Sequence, residues 1–121
     1  MTCRVVNGSP PPQSGASLTM ELPLARAAAG TKVRVGLRAG DILLATVPPT
    51  QISARNILAG TLRKLAEADA TVVAQVECGG ATFEVHITPG ARQALDLAPG
   101  REVWLVVKTH SCRLLYSNRQ L

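Results

Sequence analysis

Aromatic residues are nearly missing from this chain of 121 residues, which carries only Phe83, Trp104 and Tyr116. A core with so few rings must be built mainly from Val, Leu, Ile and Ala, and the aromatic stacking surfaces on which single-stranded nucleic-acid binding relies are nearly absent. Cysteine is scarce as well. Cys3, Cys78 and Cys112 form an odd set without C-x-x-C spacing, so neither a disulfide framework nor a zinc site is indicated. Cys78 falls on the apolar face of a strand pattern and reads as a small core residue. His86 and His110 have no partner at metal-ligand spacing, so no metal site is expected. No run approaches the ~20 apolar residues of a membrane span, and Met1-Thr2-Cys3-Arg4 does not open a secretory signal; the chain reads as cytoplasmic. Enzyme signatures are absent too: no G-x-x-x-x-G-K-[ST] loop, no G-x-S-x-G elbow and no carboxylate cluster suited to magnesium. A binding module is expected rather than an enzyme.

What is present is globular: 46% of the residues are hydrophobic and 17% charged, enough for one domain or two very small intertwined ones. Thirteen Lys and Arg against eight Asp and Glu leave a net charge of +5, which favours anionic partners. Period-two alternation dominates and predicts half-buried strands. Val33, Val35 and Leu37 alternate with Lys32, Arg34 and Arg38; Phe83, Val85 and Ile87 with Thr82, Glu84, His86 and Thr88; Val103, Leu105 and Val107 with Glu102, Trp104 and Lys108. Gly79-Gly80 joins the segments 72–78 and 82–88 as a two-residue hairpin loop. Pro89 presets the first turn of a short helix over residues 91–95.

The halves of the chain repeat. Residues 30–39 match residues 100–109 at an offset of 70, with apolar positions in register and a cation at the same end. Residues 16–24 can be paired with 82–88, and residues 3–6 with a piece of 61–65. Residues 7–14, rich in Pro, Ser and Gly, read as a surface loop. The architecture that follows is a single all-β domain over residues 1–121, a small OB-like barrel with one short helix. It has two unequal β repeats, a shorter first over 1–50 and a complete second over 51–116, with a tail over 117–121.

One cluster carries chemistry. Ser53-Ala54-Arg55-Asn56, with Ile57 and Leu58 directly behind, puts a hydroxyl, a guanidinium and an amide at the mouth of an apolar strand. Arginine offers a planar fork of donors charged at any physiological pH, and Ser53 with nearby backbone N–H groups can complete a cage around tetrahedral oxygens. Asn56 suits turn formation as well as ligand contact. Lys108-Thr109, ending the apolar run 103–107, supplies a second cation beside a second hydroxyl.

These landmarks carry a resemblance. Ser53-Ala54-Arg55-Asn56, then Ile87-Thr88-Pro89-Gly90-Ala91, then Leu97-Ala98-Pro99-Gly100 leading into residues 103–109 resemble, in order and spacing, the molybdate-binding Mop/TOBE domain. That domain occurs in small molybdate-storage proteins, in a molybdate-responsive regulator and at the C-terminus of the molybdate importer's ATPase subunit. Residues 33–42 and the Pro48-Pro49 link look most like the transporter-ATPase branch. The resemblance implies an oxyanion site made of Ser53, Ala54, Arg55, Asn56, Thr88, Lys108 and Thr109, with molybdate or tungstate as ligand and no other cofactor. It also implies a homodimer or higher oligomer in which Ser53 and Arg55 of one copy face Lys108 and Thr109 of another, and association with importer ATPase and membrane subunits. Thr109-His110-Ser111-Cys112 is bulkier than the family's usual run, and Ala91 stands where some relatives have a serine. Two other readings belong to different classes: a nucleic-acid-binding OB-fold, supported by the pI near 9.7, and a purely structural TOBE domain that mediates dimer contacts in another importer.

Overall fold

The computed structural model describes residues 2–4, 18–23, 30 and 33–115; the predicted loop over 7–14 and tail over 117–121 lie outside them. Nine strands, two 3-10 turns and one short helix follow in order: β1 Thr2–Arg4, β2 Thr19–Glu21, β3 Arg34–Gly36, a first turn Ala39–Asp41, β4 Leu43–Ala45, β5 Asn56–Ala68, β6 Thr71–Cys78, β7 Ala81–Ile87, α1 Pro89–Ala94, β8 Glu102–Val107, a second turn Thr109–Ser111 and β9 Arg113–Leu115. The all-β expectation with a single short helix holds. The strands form a five-stranded sheet in the order β4-β8-β5-β6-β7 and two two-stranded sheets, β1-β2 and β3-β9.

The hairpin at Gly79-Gly80 is present: Cys78 pairs with Ala81, and the glycines take φ of +55° and +87°, a left-handed pair that suits the twist of the flanking strands. Period-two burial follows the sequence along β6 and β8, where Val72, Ala74, Val76 and Cys78 and then Val103, Leu105 and Val107 are all buried. Side chains from all three sheets and from the turn regions, including Met20, Ile42, Leu58, Leu62, Leu105, Leu114 and Cys112, share one core.

β5 is the organising strand, pairing with β8 over Asn56–Thr61 and with β6 over Thr61–Ala68. At the change of partner its register shifts between Leu62 and Lys64, and the backbone of Leu62 turns to the Pro99-Gly100 corner, donating to the Arg101 carbonyl at 2.9 Å and accepting from Gly100 N at 2.7 Å. Gly60 is obligatory here, since a Cβ would run into the Cys78 sulfur and lie 2.6 Å from the Glu77 carbonyl oxygen.

The repeat at an offset of 70 is structural. β3, the first turn and β4 correspond to β8, the second turn and β9, and the halves exchange strands. Arg34 pairs with Leu115 as Trp104 pairs with Ala45, Val35 with Leu114 as Leu105 with Leu44, and Gly36 with Arg113 as Val106 with Leu43. β1 and β2 form a separate two-stranded ladder, with Thr2 opposite Glu21 and Cys3 opposite Met20. Among the described residues no counterpart of β5 stands between β1 and β3.

Candidate functional site

Antiparallel pairing of β5 with β8 ends at Asn56 opposite Val107. The next residues outward are Arg55, just before β5, and Lys108, just after β8, so the two cations leave the same end of adjacent strands within one chain. The resemblance implied that Ser53 and Arg55 of one copy face Lys108 and Thr109 of another; within one chain Arg55 and Lys108 stand at neighbouring strand ends. Arg55, Lys108 and Ser53 are exposed while Ala54 is buried, and among the described residues neither cation has an ion-pair partner. Ala54 anchors the segment to the core, and its neighbours on either side point to solvent.

Lys108 opens the second 3-10 turn, its carbonyl accepting from Ser111 N at 2.9 Å. Arg38 opens the first in the same manner, its carbonyl accepting from Asp41 N at 2.9 Å. The difference is chemical: the Arg38 guanidinium has Asp41 at 3.9 Å, while Ser111, at the place equivalent to Asp41, offers no charge to Lys108.

Asn56 is spent on structure. It is only 3% exposed, and its side-chain amide clamps the backbone of Glu21, accepting from Glu21 N at 2.6 Å through Oδ1 and donating to the Glu21 carbonyl at 2.9 Å through Nδ2. An amide with both ends so engaged completes the edge of β2 as a neighbouring strand would. Thr109 also turns to that residue, its hydroxyl donating to Glu21 Oε1 at 3.2 Å. Glu21 is the member of this cluster that the sequence does not reveal, because nothing local marks a lone Glu on a three-residue strand.

Thr88 stands elsewhere. Ile87 pairs with Val72, and Val72 with Glu67 on its other side, so Thr88 lies level with the end of β5 opposite to the one Arg55 precedes. Its hydroxyl caps α1, accepting from Ala91 N at 3.0 Å, with Pro89 in the first turn. Arg101 closes the other end of α1 by donating to the carbonyls of Leu95 and Asp96, both at 2.9 Å. Cys78 and Cys112 are inert by environment. Burial, aided by the negative charge of Glu77, pushes the Cys78 thiol up to about 11, and burial raises Cys112 as well, so both stay neutral at physiological pH. Among the described residues no His, Cys, Asp and Glu cluster has the makings of a metal site, and no helix is long and apolar enough to cross a membrane.

The arrangement defines a class: a small OB-like β-domain whose two repeats exchange strands around one core, with two cations at one end of its central strands that have no ion-pair partner among the described residues. A model of the TOBE domain matches residues 52–114, and the chain belongs to the TOBE domain family. Similar curated proteins include the molybdenum import ATP-binding protein ModC of Mesorhizobium japonicum, 45% identical over 83 residues that make up 68% of this chain and 22% of the relative. ModC of Rhizobium meliloti is 41% identical over 81 residues, 66% of this chain and 23% of the relative. The chain therefore spans less than a quarter of the length of these relatives. Among solved structures, the cytoplasmic molybdate-binding protein ModG, with molybdate bound, superposes with a TM-score of 0.68 at 28% identity, covering 83% of this chain and 76% of that one. A molybdate-binding protein from Sporomusa ovata gives a TM-score of 0.52 at 27% identity, covering 55% of this chain and all of that one. These likenesses agree with the OB-like fold of the Mop/TOBE type expected from the motifs.

Proposed function

We propose that this chain is a cytoplasmic, non-enzymatic module that binds molybdate or tungstate, acting as the regulatory domain of a molybdate importer's ATPase subunit or as a free-standing relative. The observation that supports the reading is the register of β5 and β8, whose last pair, Asn56 opposite Val107, is followed outward by Arg55 on one strand and Lys108 on the other. Two such cations beside Ser53 suit a dianion better than a single charge would. The bidentate fork of Arg55 supplies charge-assisted bonds, Lys108 a point charge, and Ser53 with adjacent backbone N–H groups the neutral donors. Asn56 and Thr88 serve as scaffold in this reading, the first locking β2 to β5 and the second capping α1. The names of the relatives support molybdate as the ligand.

The module works as a homodimer or higher oligomer. On the outer face of the large sheet Leu43 on β4, 64% exposed, and Ile57 on β5, 38% exposed, flank the buried Val106, and these two side chains are the apolar surface offered to a second copy. Bound dianion would then bias association through its greater affinity for the associated form.

Calorimetric titration of the chain with molybdate, tungstate, sulfate and phosphate tests the reading. Molybdate and tungstate are expected to bind in preference to sulfate, because donors set for a larger tetrahedron leave bonds stretched or unmade around a smaller one, and an unmade bond to a desolvated donor is costly. Equal heats for molybdate and sulfate, or none, would replace this reading with a structural TOBE role; salt-sensitive retention of an oligonucleotide would replace it with nucleic-acid binding. Mixing Arg55→Ala and Lys108→Ala chains is expected to give no recovery of binding, since both cations come from one chain. Recovery in proven mixed dimers would assign them to different copies.

A further inference from the structure

Glu21 is a carboxylate bonded to Asn56 and Thr109, the residues next in sequence to the two candidate cations, and this calls for an explanation. Its position is not a matter of a loose surface side chain. The Asn56 amide grips its backbone from both sides at 2.6 and 2.9 Å, and the Thr109 hydroxyl donates to its Oε1 at 3.2 Å. Asn56 and Thr109 directly follow Arg55 and Lys108, the two cations proposed to hold the ligand. Among the described residues Glu21 makes no ion pair, so its charge is answered by a hydroxyl and not by a neighbouring base.

Two consequences follow from elementary chemistry. A hydroxyl has a single proton, so while Thr109 donates to Glu21 it presents only lone pairs to an incoming oxyanion. And a ligand oxygen bonded to Thr109 would lie within about 6 Å of the Glu21 carboxylate, taking two hydrogen-bond lengths end to end, where a dianion and a carboxylate repel appreciably even in water.

We propose that Glu21 is an affinity-setting residue of the oxyanion site, a built-in competitor that occupies the Thr109 proton and sets the affinity for the dianion below what Ser53, Arg55, Lys108 and Thr109 would otherwise give. The inference rests on the oxyanion reading above. Glu21 tunes the site so that it fills only at high anion concentration, as suits a sensor rather than a scavenger.

Because Asn56 grips backbone atoms, Glu21→Gln leaves the clamp in place, keeps an acceptor for Thr109 and removes only the charge. In titrations of the whole chain with sodium molybdate, Glu21→Gln is expected to bind roughly tenfold more tightly than the parent at low salt, the gain shrinking as salt screens the repulsion. Glu21→Ala, which also frees the Thr109 proton, is expected to bind more tightly still, and the increment over Glu21→Gln should vanish in a Thr109→Val background. Thermal unfolding of each variant checks that the fold is kept. If the parent binds and both Glu21 variants match it, or bind more weakly while equally stable, Glu21 is no competitor and the inference falls while the oxyanion reading stands. If the parent and both Glu21 variants give no heat with molybdate, the oxyanion reading itself falls and takes this inference with it.

Discussion

Residues 34–45 and 104–115 have the same backbone and the same pairing register, yet only the second segment carries a candidate site. In both, a strand runs into a 3-10 turn opened by a cation and leaves through a second strand. Burial sets them apart first: Leu105 is fully buried between β4 and β5, whereas its counterpart Val35 is 37% exposed. The cause is β5, which lies against β8 and has no equivalent beside β3 among the described residues. Charge sets them apart next, since Arg38 has Asp41 and Lys108 has nothing comparable. A duplicated backbone thus fixes where a cation stands, and the neighbouring strand decides whether it has company.

The largest effect that would sharpen this contrast lies in the core. Leu105→Ala is expected to cost about 2–5 kcal/mol, and Val35→Ala, at the equivalent place, under about 1 kcal/mol; urea unfolding measures both, and equal losses would mean the repeats are packed alike. Next comes the clamp. Asn56→Ala strips partners from the backbone N–H and carbonyl of Glu21 and is expected to cost roughly 2–4 kcal/mol, with hydrogen exchange at Glu21 rising more than at β7. A loss below 0.5 kcal/mol, on the order of a surface change, would show that water replaces the clamp. The cations give the functional contrast. Arg55→Ala is expected to weaken molybdate binding by roughly tenfold to a hundredfold, with little rescue by Arg55→Lys, while Arg38→Ala leaves it nearly unchanged; a comparable loss in Arg38→Ala would make the first turn a ligand site as well. The smallest effect belongs to Asp41→Asn. The ion pair it breaks is exposed and 3.9 Å long, so the change in stability should stay within about 0.5 kcal/mol, and a larger change in thermal unfolding would reveal a role for Asp41 beyond that pair.

Much of this was legible in the sequence where the signal is local. Alternation marks β3, β7 and β8, Gly79-Gly80 marks the β6–β7 hairpin, Pro89 marks α1, and the offset of 70 marks the repeat. The length of β5 was not legible. Its second half, with Arg63, Lys64, Leu65, Ala66, Glu67 and Ala68, is made of helix-favouring residues, and it becomes a strand because β6 pairs with it across a two-residue turn at Asp69-Ala70. The site was half legible. Arg55 and Lys108 stand out as cations at strand ends, but Asn56 looks like a turn former until its partner, Glu21, is seen. Thr88 joins the other landmarks in sequence order while the fold carries it to the far end of β5. Long-range pairing leaves no mark on local composition, and strand exchange between the repeats is the clearest case.

That exchange has a consequence for how the chain acquires its shape. β5, β6 and β7 are joined by two-residue turns and can zip as soon as they are made, a step of microseconds for a single hairpin. β4 on β8 and β3 on β9 instead close loops across most of the chain, at an entropic cost that is met only after the hairpins exist. Each repeat is therefore finished by the other, and neither has a complete sheet to itself. Lys108 comes to the strand end next to Arg55 through β8 on β5, a closure over residues 56–107 that no two-residue turn supplies, so the end of the sheet where both cations stand depends on long-range pairing and not on any one hairpin.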